Sequence, residues 1–265
     1  MKRIISASYR EDIPAFGAKP FFENVAKGYV EMPTKFGKSR IGLRPEDIYC
    51  FVFWTKNPSR EFLAGLDTLK TPWYIQWTIT PYPQAIEPAV PDKLSVLDTF
   101  KRVSYKYGRD HVVWRYDPIF VSGTFNYAYH VRKFEGMCKI LEGYTDKCVI
   151  SFMDEYGKIA DVVKSGLLRA PTTEEVHRIA KAFGEIAPRY GIRIQTCSEN
   201  QYDLTAYGIT EEPCIDTTLI ESLSGETLPD NLKKPNSFRR CKCAVNTDIG
   251  EYHRCNHGCV YCYAK

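Results

Sequence analysis

Long hydrophobic runs are missing from this sequence. No stretch approaches the roughly 20 apolar residues that cross a bilayer. The Ile4-Ile5 pair behind Lys2-Arg3 is interrupted by Ser6 and Ser8, too soon for the apolar region of a secretion signal. The expected compartment is therefore the cytoplasm, where ten cysteines stay reduced and a disulfide framework is not expected. A dense stripe of one charge is also missing: the net charge of +4 permits a phosphate-bearing substrate but is unlike a dedicated nucleic-acid binder. The five histidines, at 111, 130, 177, 253 and 257, form no metal-binding pair at i, i+4. No Gly-x-Gly-x-x-Gly follows the first strand, which argues against a dinucleotide site. No Ser-His-Asp or Cys-His arrangement stands out, and there are no internal repeats or low-complexity segments.

What is present in excess is clustered thiol. Five of the ten cysteines fall in the final 25 residues, with Cys255, Cys259 and Cys262 spaced C-x3-C-x2-C and Cys241-x-Cys243 just upstream. Iron-sulfur clusters and zinc both need several thiolates converging on one point. Three local thiolates leave one iron of a four-iron cluster open, whereas a structural zinc would need a fourth ligand such as His253, His257 or Cys243. The spacing favours iron-sulfur, with zinc and metal-free thiols as alternatives. A second, auxiliary cluster is expected on Cys197, Cys214, Cys241 and Cys243, which fold alone could bring together. Cys50, Cys138 and Cys148 fall inside strand or helix patterns and are expected in the core.

The length suits one large domain, since single barrels reach about 250 residues. Strands are expected at 3–8, 48–55, 73–80, 111–116, 148–153 and 192–197, and a seventh at 244–248. Residues 20–28 read as a helix, 29–45 as a basic, solvated loop or irregular hairpin. Asn57-Pro58 reads as the start of a further helix. A helix over 92–107 carries Leu94, Leu97, Phe100, Val103 and Tyr107 on one stripe and is closed by Gly108. Another opens on the capping box Thr172-x-x-Glu175, with Val176, Ile179, Ala180, Phe183 and Ile186 apolar. Alternating strands and helices imply an α/β fold with a parallel sheet. The expected form is a parallel (β/α) barrel, complete or partial, over 1–240, with a cysteine-rich tail over 241–265 packed on its mouth as part of one structural unit.

In such a barrel the working residues sit at the C-terminal ends of the strands. That rule selects Ser6, Ser8, Arg10 and Asp12 after the first strand, Trp54 and Lys56 after the second, and Gln76 and Thr78 on the third. The later strands add Arg115, Asp117, Ser151, Asp154, Cys197 and Glu199. Arg115 and Asp117, two residues apart, point to one face and can pair, as a substrate contact or as a structural ion pair. Asp12, just before Pro14, can equally serve as a turn or cap residue. Asp154 and Glu199 are the candidate acid/base groups, each following an apolar strand that could raise its pKa.

Arg254-Cys255-Asn256-His257-Gly258-Cys259-Val260-Tyr261-Cys262-Tyr263-Ala264 resembles the cluster loop of radical S-adenosylmethionine (SAM) enzymes. There the motif follows the first barrel strand; here it lies at the other end of the sequence, as in a circular permutation. A second resemblance spans nearly the whole chain, to an uncharacterised prokaryotic family of unknown function whose C-terminal cysteines are similar to that loop. It rests on Asp12-Ile13-Pro14-Ala15-Phe16, Phe53 to Pro58, Trp114 to Phe120, Cys148 to Phe152 and Asp248-Ile249-Gly250-x-Tyr252. The family usually begins Ser-Arg-Arg-Thr-Asp-Ile-Pro, where this chain has Ser8-Tyr9-Arg10-Glu11-Asp12.

The radical SAM resemblance implies a 4Fe-4S cluster on Cys255, Cys259 and Cys262 and SAM bound at its open iron. Ser6, Ser8, Arg10, Asp12, Lys56, Arg115 and Asp117 would hold that cofactor. A reductase or ferredoxin would donate electrons, and reductive cleavage of SAM would give a 5'-deoxyadenosyl radical acting on an unknown small or nucleotide-like substrate. The alternatives are a non-catalytic or electron-transfer iron-sulfur barrel and a zinc-dependent nucleic-acid-binding protein.

Overall fold

The computed structural model describes residues 2–35, 37–234 and 241–264. In chain order its elements are β1 (Arg3–Ala7), α1 (Ile13–Phe16), α2 (Ala18–Lys27), β2 (Tyr29–Thr34), β3 (Gly37–Gly42), β4 (Ile48–Thr55), α3 (Arg60–Gly65) and β5 (Trp73–Thr78). Then follow α4 (Lys93–Tyr107), β6 (Val112–Ile119), α5 (Tyr127–Leu141), β7 (Lys147–Phe152), α6 (Ala160–Lys164), α7 (Thr173–Ile186) and β8 (Arg193–Thr196). The remainder is β9 (Thr210–Glu211), α8 (Thr217–Ser224), α9 (Asp230–Lys233) and β10 (Thr247–Asp248).

Eight strands form one sheet in the order β10-β1-β4-β5-β6-β7-β8-β9, every neighbouring pair parallel. The fold is thus mixed α/β with a large parallel sheet flanked by helices. Among the described residues no pairing of β10 with β9 closes it, so hydrogen-bonded closure into a full barrel is not seen. The strands are apolar on both faces, as burial on both sides requires. Ile5, Phe51, Phe53, Ile75, Trp77, Trp114 and Ile150 belong to the core packed with α2 to α7. Their alternating neighbours Ile4, Cys50, Val52, Tyr74, Val113 and Val149 pack against Ile215, Ile220, Leu228, Leu232 and Ala244. The segment carrying α8 and α9 therefore covers the second face.

Several local expectations need correction. The helix after β4 starts at Arg60 and is capped by Ser59, whose side chain accepts from Phe62 N, rather than by Asn57. On α4, Leu94 is 62% exposed and Val96 takes its place in the core. Within 29–45, where a loop or irregular hairpin was expected, β2 and β3 pair antiparallel in unbroken register, with Arg40 and Lys38 lying 3.1 and 3.7 Å from Glu31. Strand β10 is shorter than expected, and β9 lacks the hydrophobic run that would have announced it. The capping box on α7 is present with its apolar stripe buried, as expected. The expected boundary at 240/241 adjoins residues 235–240, which, like Lys265, lie outside the described residues.

Candidate functional site

Strand ends and tail meet around a cavity of about 580 Å³. Its wall includes all seven cysteines expected to bind metal: Cys197, Cys214, Cys241, Cys243, Cys255, Cys259 and Cys262. Ser8, Arg10, Asp12, Lys56, Arg115, Asp117, Asp154 and Glu199 line it too. Ser6 does not; it is fully buried and donates to Asp248 Oδ2 at 2.6 Å.

The tail reaches the mouth because β10 lies beside β1, with Ile249 N donating to Ser6 O at 3.0 Å. Asp248, at the end of β10, fixes the chain after β1. It accepts from Ser8 Oγ at 2.8 Å, Tyr9 N at 3.1 Å and Gly250 N at 3.0 Å, with Arg10 Nε at 3.7 Å. Only glycine fits at 250, since a Cβ there would stand 2.0 Å from Ser8 Oγ. Beyond it the tail bonds to the loop after β5, through Val260 N to Ile86 O at 3.0 Å and Ala89 N to His257 O at 3.1 Å. Gly258 turns between those contacts at φ +70°, a left-handed conformation that suits glycine.

Two buried carboxylates brace this loop. Asp12 caps α1 by accepting from Ala15 N at 2.9 Å and also accepts from Lys56 N at 2.7 Å. Its Oδ2 lies 2.8 Å from His257 Nε2. Glu87 accepts from Lys56 Nζ at 2.8 Å and Thr80 Oγ1 at 2.6 Å, and also from Lys93 and the Tyr261 hydroxyl. Burial works against its charge, but Lys56 and Lys93 hold the carboxyl down to about 2. The cation at Lys56 lies close enough to Cys259 to favour its thiolate, although burial still pushes that thiol up to about 11. Burial likewise pushes Cys255 up to about 12, opposed by the His257 amide that donates to its sulfur. Ala264 N donates to Cys262 Sγ at 3.3 Å. Amides aimed at sulfur are what thiolate-bound clusters use to spread charge.

On the far wall Arg115 is the central cation. It donates to Asp117 Oδ2 at 2.6 and 3.1 Å, bearing out the expected pair, and to Gln76 Oε1 at 3.3 Å. Its Nη1 also lies 2.8 Å from Cys214 Sγ. Asp117 accepts in turn from Ser151. The two candidate acids differ sharply. Glu199 is buried, accepts from Phe152 N at 2.8 Å, and burial pushes its carboxyl up to about 8. Asp154 is exposed and pairs with the Tyr156 hydroxyl at 3.2 Å.

The cysteines form two arrangements. The sulfurs of Cys197, Cys214 and Cys243 all lie within 4.8 Å of one another. Cys241 contacts Cys243, and Cys214 N donates to Cys243 Sγ at 3.2 Å. Cys255, Cys259 and Cys262 influence one another electrostatically but do not gather that tightly. Cys50, Cys138 and Cys148 are buried in the core, as expected.

Sequence reasoning did not single out Glu87, Asp248 or Tyr261 as site residues. Glu87, an acid in the proline-rich stretch Pro81 to Pro91, and Asp248, at the start of an already noted motif, were the available signals. Among the described residues no helix is long and apolar enough to cross a membrane. Residues 4–264 match the family described as Domain of unknown function (DUF1848), and the chain belongs to it. No curated protein and no solved structure matches the chain.

Proposed function

We propose that this member of the DUF1848 family is an iron-sulfur enzyme that binds SAM at a cluster held by Cys255, Cys259 and Cys262, on a permuted, barrel-like parallel sheet. The observation that carries this reading is the cysteine loop itself: three thiols lining one cavity, less tightly gathered than Cys197, Cys214 and Cys243, with backbone amides directed at the sulfurs of Cys255 and Cys262. That donor set fits a cubane with one iron left without a protein ligand. The permutation is supported by strand order: the loop follows β10, the neighbour of β1 at one end of the sheet.

Cys255, Cys259 and Cys262 would hold such a cluster, which when reduced would supply the single electron for reductive cleavage of SAM and so hydrogen-atom abstraction from substrate. The chain's own groups would position and shield the reactants. The cavity falls within the roughly 300–1,000 Å³ of ordinary ligand sites. Ser8, Arg10, Lys56, Arg115 and Asp117 give its wall both charge signs, suited to a zwitterionic amino acid head group and a ribose. Glu199, with its carboxyl raised to about 8, is placed to hold or donate a proton near neutral pH. The expected electron donor is a small reductase or ferredoxin.

The test is anaerobic reconstitution, dithionite reduction, addition of SAM and quantification of 5'-deoxyadenosine. Release well above that of Cys259→Ala is expected. Iron-loaded wild type that releases none would sink the enzyme reading and favour an electron-carrying cluster.

A further inference from the structure

We infer that Cys197, Cys214 and Cys243, with Cys241 as the fourth thiol, bind a single thiophilic ion, zinc or a lone iron, that staples the two ends of the parallel sheet together. The first argument is distance. A tetrahedral ion with metal–sulfur bonds of about 2.3 Å holds its sulfurs about 3.8 Å apart. The three sulfurs lie within 4.8 Å of one another, close to that edge length. A four-iron cubane puts a whole iron-sulfide core between its ligands and spreads them further. The tight group therefore fits one ion, not the auxiliary cluster expected from sequence.

The second argument is the surroundings. Four thiolates around a divalent ion leave a charge of about −2, which needs donors and a cation nearby. Cys214 Sγ accepts from the buried, permanently charged Arg115 at 2.8 Å, and Cys243 Sγ accepts from Cys214 N at 3.2 Å. Cysteines buried only as small apolar residues would not sit against a guanidinium.

The third argument is topology. Cys197 directly follows β8, and Cys214 follows β9 at one edge of the open sheet. Cys241 and Cys243 precede β10 at the opposite edge. These edges share no strand pairing, yet Ala244 N reaches Ile215 O at 3.2 Å. An ion here would tie the edges where hydrogen bonds do not.

This inference stands independently of the reading of the tail. Its test uses anaerobically purified full-length Cys259→Ala, which lacks the tail cluster. One zinc or one iron per chain should remain. X-ray absorption at the edge of that metal should show a sulfur shell near 2.3 Å with no metal neighbour. Zinc and lone iron, told apart by the absorbing edge, both support the inference. Several irons with a short metal–metal distance, or no bound metal at all, would overturn it. In wild type, Cys243→Ala should lose this ion and keep the tail iron; if that variant does not fold, the absorption measurement still decides.

Discussion

The two cysteine groups share one cavity but are built differently. Cys197, Cys214 and Cys243 come from three separate places in the chain, converge within 4.8 Å, and rest on a buried arginine. Cys255, Cys259 and Cys262 come from one short loop, stand further apart, and are held from outside by Asp12, Glu87 and Asp248. A compact site assembled by the fold suits a structural ion. A local loop with three thiols suits a cluster that keeps a coordination position for another molecule. Spacing between sulfurs, more than their number, separates the two proposed roles.

The sharpest way to break this comparison is Cys259→Ala. It should abolish the tail cluster completely, seen as loss of its iron and of its visible charge-transfer absorption, while the ion at the compact site stays. Next is Glu87→Gln, which leaves Lys56 and Lys93 facing each other in a buried site without a counter-charge. A loss of about 3 kcal/mol or more is expected in denaturant unfolding, together with reduced tail iron. The lost contribution has a defined pH window. The folded carboxyl is lowered from 4.5 to about 2, so its stabilisation is present above pH 4.5 and fades as pH falls toward 2. The gap between wild type and variant should close across that range.

How far the site was legible in sequence follows from which residues are local. The cysteine loop and the capping box on α7 are short contiguous patterns visible in sequence; the capping box forms as expected, and the loop's three cysteines all line the cavity. Strand ends are also local, which is why Arg115, Asp117, Lys56 and Asp12 could each be placed at that end of the sheet, and why Arg115 could be paired with Asp117. Glu87 was missed because the two partners that join it to the cysteine loop and the β4 end, Tyr261 and Lys56, lie 174 and 31 residues away. For Ser6, period-2 alternation names a face but not what covers it, here Asp248. β9 is two residues long and carries no apolar run, so the sheet's far edge had no sequence signal.

Two smaller changes sharpen the contrast. Gly250→Ala would push a methyl into Ser8 and disturb the Asp248 node. It should cost about 1–3 kcal/mol in thermal or denaturant unfolding and reduce tail iron, with the compact site's ion retained. Glu175→Gln, remote from the cavity, acts as the control. Its carboxyl is held at about 2, chiefly by Arg169, in a partly exposed pair. The expected loss is under about 1 kcal/mol at neutral pH, vanishing between pH 4.5 and 2, with neither metal content changed.

The most direct test of the central claim is the low-temperature EPR spectrum of reduced, reconstituted wild type with and without SAM. The tail loop should give the signal of a reduced four-iron cluster, absent in Cys259→Ala, whose shape changes when SAM binds its open iron. A fully loaded cluster whose signal is the same with and without SAM would contradict it.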